Sequence, residues 1–322
     1  MKGFDPHFQD LPDYILRITK EIWEDRGIAT LHRYYTPTIP VRSPASVVIG
    51  NQGVIAATMA TLAEFPDRQL LGEDVIWSGD QDEGFLSSHR ILSTATHTGS
   101  GMYGQATGRK FVYRVIANCA ARNNAIYDEW LIRDQGAIVR QMGADPKAWA
   151  ADLIAREGGP ERCVRPCTPD NDIQGDYRGH GNDHELGHRY ASLLTRIMAA
   201  EMNAIRADYD RACWLELPGG LQAHGPAAAE QFWMGLRAAF PEAAFQIHHR
   251  IGRDDPHSPP RAALYWTLTG RHTGWGAFGA PTGAAVHVMG MSHAEFGPWG
   301  LKREFVIIDE TAIWKQILMQ TG

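Results

Sequence analysis

The stretch HTGSGMYGQATG, residues 97–108, returns in altered form as HTGWGAFGAPTG at residues 272–283. The two lie 175 residues apart, and the same offset holds well beyond them. Phe65-Pro66 falls on Phe240-Pro241, Tyr34 on Tyr209, Gly50 on Gly225, Met59 on Met234 and Asp80 on Asp255. Further along, Glu129 and Asp134 fall on Glu304 and Asp309. One constant shift from Tyr34 to Asp309 demands equal loop lengths throughout, which unrelated segments do not supply. The chain therefore reads as two copies of one domain. Each copy is far longer than a solenoid repeat and close to the common size of an independent domain.

The first copy is expected over residues 1–150 and the second over residues 184–322, joined by a linker at 151–183. Asp145-Pro146 opens a short helix at the junction, with Asp as the cap and Pro in the first turn. Gly158-Gly159-Pro160 ends it. The segment that follows is rich in Asp, Gly, Pro and Asn, a linker composition.

Within the first copy, Leu11, Ile15, Ile18, Ile22 and Trp23 recur at helical spacing, and Gly27 ends that helix. Val54 to Leu62 reads as a second helix closed by Pro66. Strands follow at Leu70–Trp77, Phe85–Thr96, Arg109–Cys119 and Ala125–Ile132, which are rich in β-branched and aromatic residues. Helices first and an antiparallel sheet afterwards define an α+β layout, not the alternating order of a parallel sheet.

Composition narrows the function. At 44% apolar and 21% charged residues the chain is an ordinary globular protein, and its net charge of −6 argues against a nucleic-acid partner. No stretch approaches the length of a membrane span, and the first residues lack the apolar core of a secretion signal. A cytoplasmic protein is expected. The cysteines Cys119, Cys163, Cys167 and Cys213 are too sparse for a disulfide scaffold. Cys163 and Cys167 stand close in CVRPC, but no second Cys/His pair with finger spacing follows, so ordinary reduced thiols are expected.

His184-Glu185-Leu186-Gly187-His188 fits the H-E-x-x-H signature of zinc proteases. The 175-residue offset lays it over Gln9–Asp13, the entry to the first helix of copy one. The longer H-E-x-x-H-x-x-G-x-x-H pattern fails, because Ala191 and Leu194 occupy its glycine and third-histidine positions. Glu185 near a helix start also suits the helix dipole. A structural role is expected and no metal site is assigned.

Each copy resembles a SnoaL-like polyketide cyclase domain of the nuclear transport factor 2-like superfamily. The residues that carry the resemblance are LAEFPD, ATHTGSGMYGQATGRKF and IYDEWLIRDQGAIVRQMG in copy one. In copy two they are LRAAFPEAAFQI, TLTGRHTGWGAFGAPTG and a closing strand with Glu304 and Asp309. The resemblance implies two tandem cone-shaped domains. In each, N-terminal helices pack on a curved, mixed, mostly antiparallel sheet around an apolar pocket. The family includes cyclases that close a polyketide ring by an aldol reaction. Ketosteroid isomerase and limonene epoxide hydrolase share the fold, and other relatives only bind ligands or partners, so fold alone does not decide function. Single-domain relatives often dimerise, which implies an intramolecular pseudo-dimer here, with further homo-oligomers open. The family's acid/base Asp and its His fall on Leu131 and Ala117 in copy one and on Val306 and Ser292 in copy two.

With that pair replaced, other ionisable groups must carry any chemistry. By strand alternation, Tyr127, Glu129, Leu131 and Arg133 share one face, and Asp128, Trp130, Ile132 and Asp134 share the other. Glu129 is the first candidate for a pocket acid/base, because burial raises a carboxyl toward neutrality. His89, Arg133 and Asp134 complete the candidate catalytic set. Cys119 and Tyr113 are expected on the pocket wall, as are Trp23, Tyr34, Tyr35 and Trp77. Arg90, Asp128, Glu304 and Asp309 complete the ligand-binding candidates. The alternative for Glu129, Arg133, Arg90 and Asp134 is a set of ion pairs across the sheet. Copy two replaces His89-Arg90 by Leu264-Tyr265, Asp128 by Arg303 and Arg133 by Ile308, so copy one is expected to be the active half. His97 and His272 open the repeated turn and suit a turn or interface role.

No phosphate loop, dinucleotide fingerprint or nucleophile elbow is present, so no cofactor is expected. The leading reading is a cofactor-free enzyme of cyclase, isomerase or hydrolase type acting on an apolar oxygenated small molecule. A non-catalytic binding protein with the same pocket is the alternative.

Overall fold

The computed structural model describes residues 1–322. Asp10 starts α1 (Leu11–Thr19) by accepting the Asp13 N–H at 2.8 Å, and Leu11, Tyr14, Ile15 and Ile18 turn inward. A π-helical turn at Lys20–Glu24 continues it and buries Ile22. After the short α2 (Leu31–Tyr34), β1 (Pro40–Ser43) and β2 (Ser46–Ile49) form a hairpin. Then α3 (Gly50–Glu64) leads into β3 (Gln69–Asp80), β4 (Gly84–Thr96), β5 (Lys110–Arg122) and β6 (Ala125–Arg133). The two-residue turn from β5 to β6 is Asn123-Asn124. Both residues have positive φ, 50° and 65°, which Asn tolerates and a tight hairpin needs. The helices α4 (Gln135–Gln141) and α5 (Pro146–Arg156) close the half.

The second half repeats the order. It comprises α6 (Glu185–Met198), α7 (Asn203–Asp208), β7 (Tyr209–Leu217), β8 (Leu221–His224) and α8 (Pro226–Ala239). It ends with β9 (Ala244–Arg253), β10 (Arg261–Arg271), β11 (Ala285–Gly297), β12 (Gly300–Ile308) and α9 (Glu310–Thr321). Each half holds one six-stranded sheet, in the order β2-β1-β6-β5-β4-β3 and β8-β7-β12-β11-β10-β9. All neighbours are antiparallel except β1 with β6 and β7 with β12. The short hairpin before α3 escaped the periodicity reading, since strands of four residues are too short to show alternation.

The repeated turn shares two contacts between the halves. Nδ1 of His97 meets Oγ1 of Thr107 at 3.1 Å, and Nδ1 of His272 meets Oγ1 of Thr282 at 3.1 Å. Gly99 and Gly274 press on the carbonyls of Ala63 and Ala238, where a β-carbon would overlap. The motif thus clamps the loop to the end of the preceding helix.

The two sheets face each other. Ile116, Trp130 and Ile132 of the first pack on Tyr265, Met289, Met291 and Ile307 of the second. Ile76, Leu86 and Ala120 pack on Ile251 and Ala263. Buried polar contacts cross between them: Ser88 Oγ to His293 Nε2 at 2.8 Å, and Asn118 Nδ2 to His249 Nδ1 at 3.1 Å. The helix α5 crosses residue 150, where the first copy was expected to end, and packs against α9. Residues 157–183 contain no helix or strand, but they are anchored: Asp172 and the Ile173 carbonyl both hold the Arg42 guanidinium.

Candidate active site

Strand alternation and register together build the site. On the inner face of the first sheet, Ser87, Cys119 and Glu129 lie in one cross-strand row. His89, Ala117 and Leu131 form the next row, and Ile91, Val115 and Arg133 the one after. The helices α1 and α3 close over this face without filling it. A cavity of about 550 Å³ remains, lined by apolar side chains and by Glu129, His89, Cys119, Tyr113, Arg133 and Arg68. That volume suits a small organic ligand.

Glu129 is 5% exposed, and its Oε2 has no hydrogen-bond partner. Burial pushes its pKa up to about 7, against the pull of the Tyr35 hydroxyl beside it. His89 is buried with Nε2 unpartnered. Burial, and then the charge of Arg90, bring its pKa down to about 4, so the imidazole is neutral near pH 7. Burial, with Glu129 nearby, holds the Cys119 thiol well above its ordinary range and hence protonated. Trp23 and Tyr35 line the cavity, and so does Asp309, which reaches it from the start of α9.

Other candidates stand elsewhere. Tyr34 donates to Glu21 at 3.1 Å, outside the cavity. Trp77 packs on Phe85 and lies under the Arg253 guanidinium of the second half. Arg90 points to the opposite face of β4, where it meets Glu73, His293 and Glu295 and stacks 3.6 Å from the Phe305 ring centroid. Asp128, one residue from Glu129, faces away from the cavity, pairs with Arg42 and accepts the Tyr177 N–H at 3.0 Å. Asp134 caps α4 and accepts the Gly219 and Gly220 N–H groups of the second half, each at 3.0 Å. Arg90 and Asp134 lie outside the cavity because the second domain takes them up, and Asp128 because Arg42 and the connecting segment do. Of the ion pairs set against a pocket role, Arg90 makes its own with Glu73 and Glu295, while Glu129 and Arg133 make none.

Glu304, the counterpart of Glu129, sits in a filled core. It accepts the hydroxyls of Tyr190 and Tyr209, both at 2.8 Å. Trp233 and Trp266 occupy the places of Thr58 and Ile91, which line the cavity of the first half. The HELGH stretch starts α6. His184 is the cap, its Nδ1 accepting the Leu186 N–H at 3.2 Å, and His188 faces Asp183, which Arg250 also engages. No three His, Cys, Asp or Glu side chains converge as a ligand set. All four cysteines are buried and unpaired.

Arg68 was not anticipated. It follows Phe65-Pro66-Asp67 in the turn before β3, and neither periodicity nor charge pattern in that turn marks an inward-facing arginine.

Helices capping one face of a six-stranded mixed sheet, over a largely apolar cavity, define an α+β cone of the nuclear transport factor 2-like class. Residues 14–142 match the family model of SnoaL-like polyketide cyclases, and residues 190–301 match that of the SnoaL-like domain. The chain belongs to the SnoaL-like family and carries two of its domains in tandem. Among solved structures, the putative polyketide cyclase IdmH from Streptomyces antibioticus is 22% identical, covering 41% of this chain and 98% of its own, with a TM-score of 0.36. A putative polyketide cyclase from Acidithiobacillus ferrooxidans is 20% identical, covering 40% and 92%, with a TM-score of 0.36. TsrD from Streptomyces laurentii is 19% identical, covering 42% and 99%, with a TM-score of 0.37. No curated protein matches the chain. No helix is long and apolar enough to cross a membrane.

Proposed function

We propose that the first domain is a cofactor-free enzyme that moves a proton on an apolar, oxygenated small molecule, with Glu129 as acid/base. One observation carries this reading: a buried carboxyl with an unpartnered oxygen, its pKa raised to about 7, opens onto an apolar cavity of about 550 Å³. A base poised near neutrality can take a proton from a carbon next to a carbonyl and return it elsewhere, the step common to enolisation, isomerisation and aldol closure. Neutral His89, two residues along β4 from Ser87 in the Glu129 row, serves as the partner whose N–H donates to the carbonyl oxygen. The second domain acts as scaffold. It packs back to back on the first as an intramolecular pseudo-dimer and covers the sheet face that holds Arg90 and Asp128. The unpaired thiols suit a reducing compartment such as the cytoplasm.

The test is exchange of α-protons of simple enolisable ketones, 2-tetralone and 1-indanone, for deuterium in heavy water. The parent protein should accelerate exchange, with a rate that rises through pH 7. Glu129→Gln should abolish the acceleration, and Glu304→Gln should keep it. Exchange that survives in Glu129→Gln, or no acceleration by the parent, sinks the assignment.

A further inference from the structure

The cavity has a cationic end that proton transfer at Glu129 does not use. Arg68 comes from the turn before β3, Arg133 from the end of β6, and Tyr113 lies beside them on β5. Arg68 is only 5% exposed. The Nε atoms of both arginines are buried without a hydrogen-bond partner. The carboxylates on the same cavity wall are engaged elsewhere. Glu64 accepts the Met102 and Tyr103 N–H groups at 3.0 and 2.8 Å and faces His97. Asp309 is held by Thr311 and Ala312. Glu129 is four residues from Arg133 along one strand, roughly 13 Å between α-carbons. A buried guanidinium without a counter-charge is costly to a fold.

The second domain serves as an internal control. The 175-residue offset places Ala243, Val288 and Ile308 at the positions of Arg68, Tyr113 and Arg133. All three are buried in a continuous apolar core, with Trp233 and Trp266 in the places of the cavity-lining Thr58 and Ile91. The fold thus dispenses with the whole cationic set where large side chains take the cavity's place, so the set belongs to the cavity's contents and not to the architecture.

We propose that Arg68 and Arg133, with Tyr113 beside them, bind an anionic oxygen of the ligand, a carboxylate or the enolate of an acidic carbonyl compound. The substrate class is then an apolar molecule with an acidic head, its body running along the cavity toward Glu129. Guanidinium groups suit this task because they present several fixed donors to one oxyanion. Burial alone would raise the Tyr113 phenol, but the charges of Arg68 and Arg133 hold it below its ordinary value, a local sign that oxyanions are favoured there. The inference rests on the cavity being the ligand site and is independent of whether Glu129 transfers a proton.

Calorimetric titration at pH 8 tests it with three probes: 2-naphthoate, its methyl ester, and 1,3-indandione as its enolate. The parent should bind at least one anion about tenfold more tightly than the ester. Preference for naphthoate alone assigns a carboxylate head, and preference for indandione alone assigns an enolate. Arg68→Met and Arg133→Met should each erase most of the preference while leaving ester binding intact. Arg68→Met should also resist denaturant at least as well as the parent, because it removes an uncompensated buried charge. Ester bound as well as the anions overturns the oxyanion site and leaves the cavity standing as a ligand site. Failure of all three probes to bind overturns both. Unfolding of Arg68→Met makes the arginine structural and overturns the proposal.

Discussion

The indole of Trp266 lies over Gly290, directly across from it on the neighbouring strand, where any β-carbon would run into the ring. The equivalent pair in the first domain is Ile91 and Val115. A large residue beside a glycine in one copy and two middle-sized residues in the other make one difference. The ring crosses the sheet's inner face and fills the second cone, and its Nε1–H donates to Ser292 at 2.9 Å. With Trp233 it converts a pocket into a core.

Exchanging that pair should follow this geometry. Trp266→Ile alone leaves a void and should cost about 3 kcal/mol or more, read from guanidinium unfolding. Adding Gly290→Val and Ser292→Ala, which restores the first-domain set, should recover a measurable part of the loss. Strictly additive losses across the three substitutions would show that the positions do not share one space.

Glu129 should make stability depend on pH in a direction that identifies it. Its carboxyl titrates near 4.5 when unfolded and near 7 when folded. A group raised on folding stabilises while protonated, fully below pH 4.5, and that contribution is lost as pH rises through 7. Glu129→Gln should therefore be more stable than the parent at pH 8, by on the order of 3 kcal/mol, with the difference fading by pH 4.5. Thermal melts of both proteins across that range supply the comparison, and a pH-independent gap would contradict the burial of an ionising group here.

The buried histidines between the sheets pull the other way. Burial, then His248 and Arg42, bring His249 down to about 3, and His293 is likewise depressed well below its ordinary value. A depressed histidine contributes stability above pH 6.5 that is lost as pH falls toward its folded value. His249→Gln, whose amide keeps a partner for Asn118, should flatten the acid limb of the stability profile between pH 6.5 and 4. An unchanged slope in denaturant titrations would remove His249 from the acid response.

Asp128→Asn should be severe although Asp128 is not on the cavity. Its carboxylate is fully buried and is the main partner of Arg42, which in turn holds Asp172 and Ile173 of the connecting segment. Leaving that guanidinium without its buried partner should cost about 3–5 kcal/mol. The segment at 172–181 should become sensitive to limited proteolysis. Protection equal to the parent's would show that the segment is anchored by other contacts.

Much of this was legible in one dimension. The 175-residue offset determined that there are two domains of one fold, and alternation along β6 put Glu129 and Arg133 on one face and Asp128 and Asp134 on the other. Local patterns suffice there, because equal spacing and period-two alternation survive any packing that keeps the strands. The same offset placed HELGH at a helix entry, where His184 proves to be a cap.

What lay against each face was decided only in three dimensions. Arg90, Asp128 and Asp134 look like site residues in the sequence because they are ionisable groups on or at the end of strands of the sheet that carries Glu129. Their face meets the second sheet, and no local signal says whether a polar strand face meets solvent, ligand or another domain. The cavity likewise depends on volumes that meet from distant segments, Thr58 against Trp233 and Ile91 against Trp266. Arg68 is a charge in an ordinary turn until the fold closes around it. Burial, and with it the raised pKa of Glu129 and the uncompensated charge of the arginines, is a property of the assembled cone. The order of residues determines which side chains can point inward, and the tertiary packing decides whether they meet a neighbour or an open space.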